Sequence, residues 1–125
     1  MAGELILIVE DNEKNLKLAR DLLQFKGYRT LEARDAESGL ALAAAHHPDL
    51  ILMDIQLPGM DGLAALAQLK AHPATTTIPV VAVTAFAMSN DRERFLGAGF
   101  DGYLVKPINI KEFPEQVRRY CERID

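Results

Sequence analysis

Leu5-Ile6-Leu7-Ile8-Val9-Glu10-Asp11-Asn12 is the stretch on which the fold turns. An unbroken apolar run stops without transition at two acids and an asparagine. A strand with one face in water alternates apolar and polar side chains, whereas a strand covered on both faces is apolar throughout. The same shape returns at Leu50-Ile51-Leu52-Met53, ending in Asp54, and at Val80-Val81-Ala82-Val83, ending in Thr84. It returns again, shorter, at Tyr103-Leu104-Val105 before Lys106-Pro107. Tyr28 to Ala33 is less apolar and reads as an edge strand.

Helical spacing fills the intervals. Asn15, Leu18, Ala19, Leu22 and Leu23 form one stripe that Gly27 stops. Asp35 is placed to cap an alanine-rich helix carrying Leu40 and Leu42, which ends before Pro48. Leu63, Leu66 and Leu69 recur as far as His72-Pro73. Asn90 and Glu93 have capping-box spacing and open a helix to about Gly97, closed by Gly99. The last helix covers roughly Ile110 to Arg123, and Pro114 demands either a start near Phe113 or a distorted first turn. Five β–α units in strict alternation predict an α/β domain, a doubly wound parallel sheet with helices on both faces. A closed barrel needs more units than the chain holds.

In such a sheet, residues just past the carboxyl ends of the strands converge near the point where strand order reverses. These are Glu10 and Asp11 after the first strand, Asp54 after the third, Thr84 after the fourth and Lys106 after the fifth. The second strand offers no comparable group. Carboxylates gathered in one crevice raise one another's pKa, a conflict that a divalent cation removes. An all-oxygen site with few protein ligands and room for water suits Mg²⁺. Acids, a metal, a lysine and a hydroxyl together handle a phosphoryl group: the cations neutralise its equatorial oxygens while a carboxylate oxygen attacks phosphorus in line. Taken singly, each piece has a plainer explanation as turn, cap or strand residue. Their arrival at one edge of one sheet outweighs those explanations.

Composition narrows the setting. The 125 residues are 49% hydrophobic and 26% charged, enough for one globular core over 1–125. A single cysteine, Cys121, excludes a disulfide framework and a Cys-rich zinc module. No apolar run approaches the roughly 20 residues of a spanning helix, and the N-terminus lacks a basic region, so the expectation is a cytoplasmic protein without a signal peptide or a membrane partner. Fourteen basic against eighteen acidic residues give a net charge of −4, which argues against direct nucleic-acid binding.

Over its whole length the chain resembles the response-regulator receiver domains of two-component signalling. The resemblance rests on Val9-Glu10-Asp11-Asn12, Asp49 to Asp54, Leu57-Pro58-Gly59-Met60-Asp61-Gly62, Val83-Thr84-Ala85 and Lys106-Pro107, all in order. Asp11-Asn12-Glu13, Pro48 to Pro58 and Ile78 to Met88 are similar, more closely still, to single-domain regulators of cell division. The resemblance implies a flavodoxin-like fold with strand order 2-1-3-4-5 and no output domain. It implies that Asp54 is the phosphoacceptor, charged by a histidine kinase or histidine phosphotransferase. Glu10, Asp11, Asp54 and the backbone carbonyl of Gln56 would hold Mg²⁺, with Mn²⁺ as a substitute. Lys106 would pair with the phosphoryl oxygens, Thr84 would swing inward, and Tyr103 would turn from exposed to buried. The surface of the fourth helix, fifth strand and fifth helix would then engage a downstream protein, in a monomer or weak dimer, in cell-cycle or developmental control. Lys106-Pro107 is expected to be cis. Gln56 and Phe86 are expected to tune water access to the acyl phosphate.

Other residues attract plainer readings. His46, His47 and His72, and Arg118, Arg119 and Arg123, suit helix C-terminal ends, and Cys121 suits the core boundary. Phe86, Met88 and Phe100 divide evenly between core and a partner patch. Three rival functions stand beside the switch. A phosphate carrier or hybrid-kinase segment would share all these motifs. A flavin binder would need a Ser/Thr/Gly-rich loop where Glu10-Asp11-Asn12-Glu13 stands. An aspartate-nucleophile hydrolase would need a second acid where Gln56 stands.

Overall fold

Alternation along each central strand sends its side chains to two separate cores. β1 (Leu5–Val9) gives Leu7 and Val9 to one side and Ile6 and Ile8 to the other. β3 (Leu50–Asp54) divides Ile51 and Met53 from Leu50 and Leu52, and β4 (Val80–Thr84) divides Val80 and Ala82 from Val81 and Val83. Burial on both faces is why these strands read as continuous apolar runs. The structure, a computed structural model, describes residues 3–57, 59–85 and 89–122, without the side chains of 89–92. With β2 (Arg29–Ala33) and β5 (Gly102–Val105) at the edges, the strands form a five-stranded parallel sheet in the order β2-β1-β3-β4-β5, as expected. The arrangement is the flavodoxin-like α/β fold expected from the sequence.

α1 (Glu13–Phe25) and α5 (Phe113–Glu122) cover one face through Leu16, Ala19, Leu23, Phe113, Val117 and Cys121. α2 (Ala36–His46), α3 (Gly62–Ala71) and α4 (Ser89–Ala98) cover the other, with Ala43, Leu66, Leu69 and Phe95 among the contacts. Side-chain carboxylates and amides start the helices: Asn12 accepts from the Asn15 N–H, Asp35 from Ser38 and Asp61 from Ala64.

Several expectations shift by a turn or a face. In α1 the buried stripe is Leu16, Ala19 and Leu23, with Leu18 only half-buried. The last helix starts at Phe113 rather than Ile110, because Asn109 caps the preceding turn by accepting from the N–H groups of Lys111 (2.9 Å) and Glu112 (3.0 Å). Pro114 thus sits in the first turn, where its missing N–H costs nothing. Phe100 is core, 4% exposed and edge-on to Phe95 at 6.1 Å between ring centres. Phe86, Met88 and Arg123 lie outside the described residues, as does the Asn90 side chain. Arg118 does not face the helix end; it pairs with Glu115 and Glu122 along α5. His46 closes the last turn of α2, and His47 and His72 are the cap residues that follow α2 and α3. The Lys106-Pro107 peptide is cis.

Two aspartates set the register at the amino edge of the sheet. Asp49 donates its N–H to the Leu5 carbonyl (2.7 Å) and accepts from the Leu5 N–H at Oδ2 (2.8 Å). Asp101 treats Val80 in the same way, at 2.8 Å in both directions. Each aspartate precedes its own strand and closes a ring on the first residue of the neighbouring one.

The α1–α5 core also holds two weak acids. Burial pushes the Cys121 thiol from 9.0 to about 11 and the Tyr28 hydroxyl from 10.0 to about 12. Burial favours their neutral forms, so this contribution to stability is complete below pH 9.0 and is lost as pH rises towards 12. For Cys121 the change corresponds to roughly 2–3 kcal/mol. Urea midpoints measured from pH 8 upward are expected to fall from about pH 9, and Cys121→Ala to flatten the first part of that fall. An unchanged slope in the variant would contradict the assignment.

Candidate functional site

The strand ends deliver Glu10, Asp11, Asp54 and Lys106 to one crevice, with Thr84 at the end of the neighbouring β4. Glu10 directly follows β1, where its N–H still donates to the Ala33 carbonyl (2.9 Å) and extends the ladder one step. Asp54 closes β3 and Thr84 closes β4, while Lys106 follows β5 and donates its N–H to the Thr84 carbonyl (2.7 Å). Glu10, Asp54 and Thr84 are 5%, 3% and 1% exposed, so all three are shielded from bulk water; Asp11 stays exposed.

Lys106 Nζ lies 2.7 Å from Glu10 Oε1 and 3.0 Å from Asp54 Oδ2, bridging the two buried carboxylates. The remaining oxygens are also held: Asn12 donates its N–H to Glu10 Oε2, and Gln56 donates its N–H to Asp54 Oδ1, both at 3.0 Å. Burial pushes the Glu10 carboxyl above its ordinary range, only partly offset by Lys106 and reinforced by Asp54. Burial pulls the Lys106 ammonium down, but its bonds to Glu10 and Asp54 outweigh this and hold it above the ordinary lysine range. One carboxylate oxygen each from Glu10, Asp11 and Asp54 gathers within 4.8 Å of the others. The donors are hard oxygens on an open-sided crevice, which suits Mg²⁺ and disfavours a soft metal.

Tyr103 is half-buried against the core that contains Leu66 and Phe95. Gln56 is exposed at the rim. Phe86 lies outside the described residues. One group was missed. Arg34, the first residue after β2, donates from Nη2 to the Asp11 carbonyl (3.2 Å), so the second strand does send a cation to the rim. Its signal in the sequence was position alone, the same post-strand position that singled out the other groups.

Lys106→Ala is expected to leave Glu10 and Asp54 facing each other without a cation. In EDTA the loss is about 1–3 kcal/mol of stability, less than for a sealed ion pair because the crevice opens to water beside exposed Asp11. Urea unfolding checks this, and added Mg²⁺ should stabilise the variant more than it stabilises the wild type. A variant as stable as wild type in EDTA would show that the lysine is not the countercharge.

The model for the response regulator receiver domain matches residues 6–118. The chain belongs to that family. Among curated relatives, the polar-differentiation response regulator DivK of Brucella ovis is 50% identical over 115 residues, covering 92% of this chain and 94% of DivK. Among solved receiver domains, that of a sensor histidine kinase of Pseudomonas aeruginosa, with magnesium coordinated in its active-site cleft, is 36% identical. Its TM-score is 0.87, covering 97% of this chain and 99% of that one. A CheY-like receiver domain from Methanospirillum hungatei is 32% identical with a TM-score of 0.86, covering 98% and 97%. Receiver domains work in two-component signalling, between histidine kinases and downstream targets. Among the described residues no helix is long and apolar enough to cross a membrane.

Proposed function

We propose that this receiver domain is a phosphorylation-dependent switch in which Asp54 accepts a phosphoryl group from a phosphohistidine of a histidine kinase or histidine phosphotransferase. The observation that supports it most is the joining of Asp54, Glu10 and Asp11 in one oxygen cluster with Lys106 already on two of the carboxylates. An Asp54 carboxylate oxygen attacks phosphorus, and the phosphorus–nitrogen bond breaks with its electron pair leaving on the donor imidazole. Glu10, Asp11, Asp54 and the Gln56 backbone carbonyl are the groups that would hold Mg²⁺, or Mn²⁺ in its place. Bound there, the ion supplies charge neutralisation for the phosphoryl oxygens.

Lys106 exchanges carboxylate partners for a phosphoryl oxygen as negative charge arrives. Thr84 supplies a hydroxyl to the same group, and Tyr103 moves further into the core it already touches. Thr84 lies on β4, Tyr103 on β5 and Lys106 just after it, so the response emerges at the α4–β5–α5 surface, where Leu96 and Val105 are each 40% exposed. A downstream protein reads that surface, in a cytoplasmic monomer or weak dimer that binds neither nucleic acid nor membrane. Likeness to DivK over nearly all of that protein supports a single-domain regulator of cell cycle or development. Likeness to the receiver of a sensor kinase favours, as a second reading, a phosphate carrier or hybrid-kinase segment.

The test is incubation with a small acyl phosphodonor. One hydroxylamine-labile phosphoryl group per chain is expected with Mg²⁺ and none with EDTA. Equal incorporation in EDTA would sink the proposal.

A further inference from the structure

The three clustered carboxylates are not equally held. Glu10 and Asp54 are buried and bonded by Lys106 and by backbone N–H groups, whereas Asp11 is exposed and no described residue hydrogen-bonds its carboxylate. Its place in the cluster depends on its backbone.

That backbone sits where two strands part. The β1–β2 register ends at Val9 opposite Ala33, and the Glu10 N–H adds one more bond to the Ala33 carbonyl at 2.9 Å. Beyond it the chains turn away, towards the Asn12 cap of α1 and the Asp35 cap of α2. Between ladder and caps stand Asp11 after β1 and Arg34 after β2, and the Arg34 guanidinium spans the gap to the Asp11 carbonyl at 3.2 Å. A side chain thus continues the ladder for the one residue at which backbone pairing has stopped.

We propose that Arg34 is a positioning residue for the metal site: it fixes the Asp11 backbone so that the Asp11 carboxylate stays beside Glu10 and Asp54. This rests on the reading of that cluster as a Mg²⁺ site. The sign of the effect separates positioning from simple charge. A guanidinium near a cation site repels the cation, so losing its charge alone should tighten Mg²⁺ binding. Losing a strut should weaken it.

Mg²⁺ titration of the full chain by calorimetry, paired with urea unfolding in EDTA, tests this. Arg34→Ala is expected to bind Mg²⁺ about threefold to tenfold more weakly, with an unchanged unfolding midpoint in EDTA. Affinity that is unchanged or tighter overturns the proposal while the wild-type titration leaves the metal-site reading intact. A wild-type chain that binds no Mg²⁺ would bring down that reading and this proposal together. Should alanine also lower the EDTA midpoint, Arg34→Lys takes its place, since an ammonium keeps the charge without the planar fork. Weakened binding at full stability then supports positioning, and wild-type affinity overturns it.

Discussion

Asp54→Asn is expected to take up no phosphoryl group at all from a donor that loads the wild-type chain, while folding normally. An amide oxygen can still accept from the Gln56 N–H, so the local turn survives. What vanishes is the carboxylate proposed as the nucleophile, and an amide does not replace it in attack on phosphorus. Lys106 keeps Glu10 at 2.7 Å, so the ammonium is not stranded. One of the mutually repelling carboxylates has also gone, and stability in EDTA should hold or rise. Mass spectrometry after phosphodonor treatment and urea unfolding in EDTA read the two halves separately. Phosphorylation of the variant at wild-type yield would move the acceptor elsewhere.

The second large effect is on the fold beneath Asp54. Gly62, the first residue of α3, donates its N–H to the Ile55 carbonyl (3.1 Å), pressing the helix against the end of β3. A Cβ at position 62 would stand 2.7 Å from the Asp54 carbonyl oxygen and 2.9 Å from the Ile55 Cα. Both are backbone atoms, so no rotamer change relieves the clash and α3 or the end of β3 must shift. Gly62→Ala is expected to cost about 2–3 kcal/mol and to weaken Mg²⁺ binding with it, because Asp54 moves. At Gly97, within α4, a Cβ would meet nothing within 4 Å, and Gly97→Ala should gain about 0.5–1 kcal/mol instead. Urea midpoints of the two variants should therefore move in opposite directions; a Gly62→Ala midpoint equal to wild type would rule out the clash.

The central strands and the site were legible for the same physical reason. A strand buried on both faces announces itself by continuous apolarity, and the first polar residue after it marks the carboxyl edge, as Glu10, Asp54 and Thr84 do. Features that depend on where a side chain reaches were not legible. Arg34 looks like ordinary turn chemistry until the parting of β1 and β2 shows which carbonyl it meets. Phe95 is fully buried, yet it sits in a helix too polar to reveal an inner face by spacing. The start of α5 was ambiguous because Pro114 fits either a late start or a strained turn, and it took the Asn109 cap to decide. Asp49 stood out only as part of a motif, since its bond to Leu5 exists only once β1 and β3 are aligned.

That alignment by Asp49 and Asp101 lies at the end of the sheet opposite Asp54. Inactivating variants should therefore divide by phenotype. Isosteric lesions of the crevice carboxylates, such as Asp54→Asn, should leave abundant but silent protein, whereas lesions at the paired aspartates should lower stability. Exposed rim positions such as Gln56 carry none of that register. Part of the scaffold's register is thus secured from the far side, so a change at the exposed rim need not erode that part of the fold.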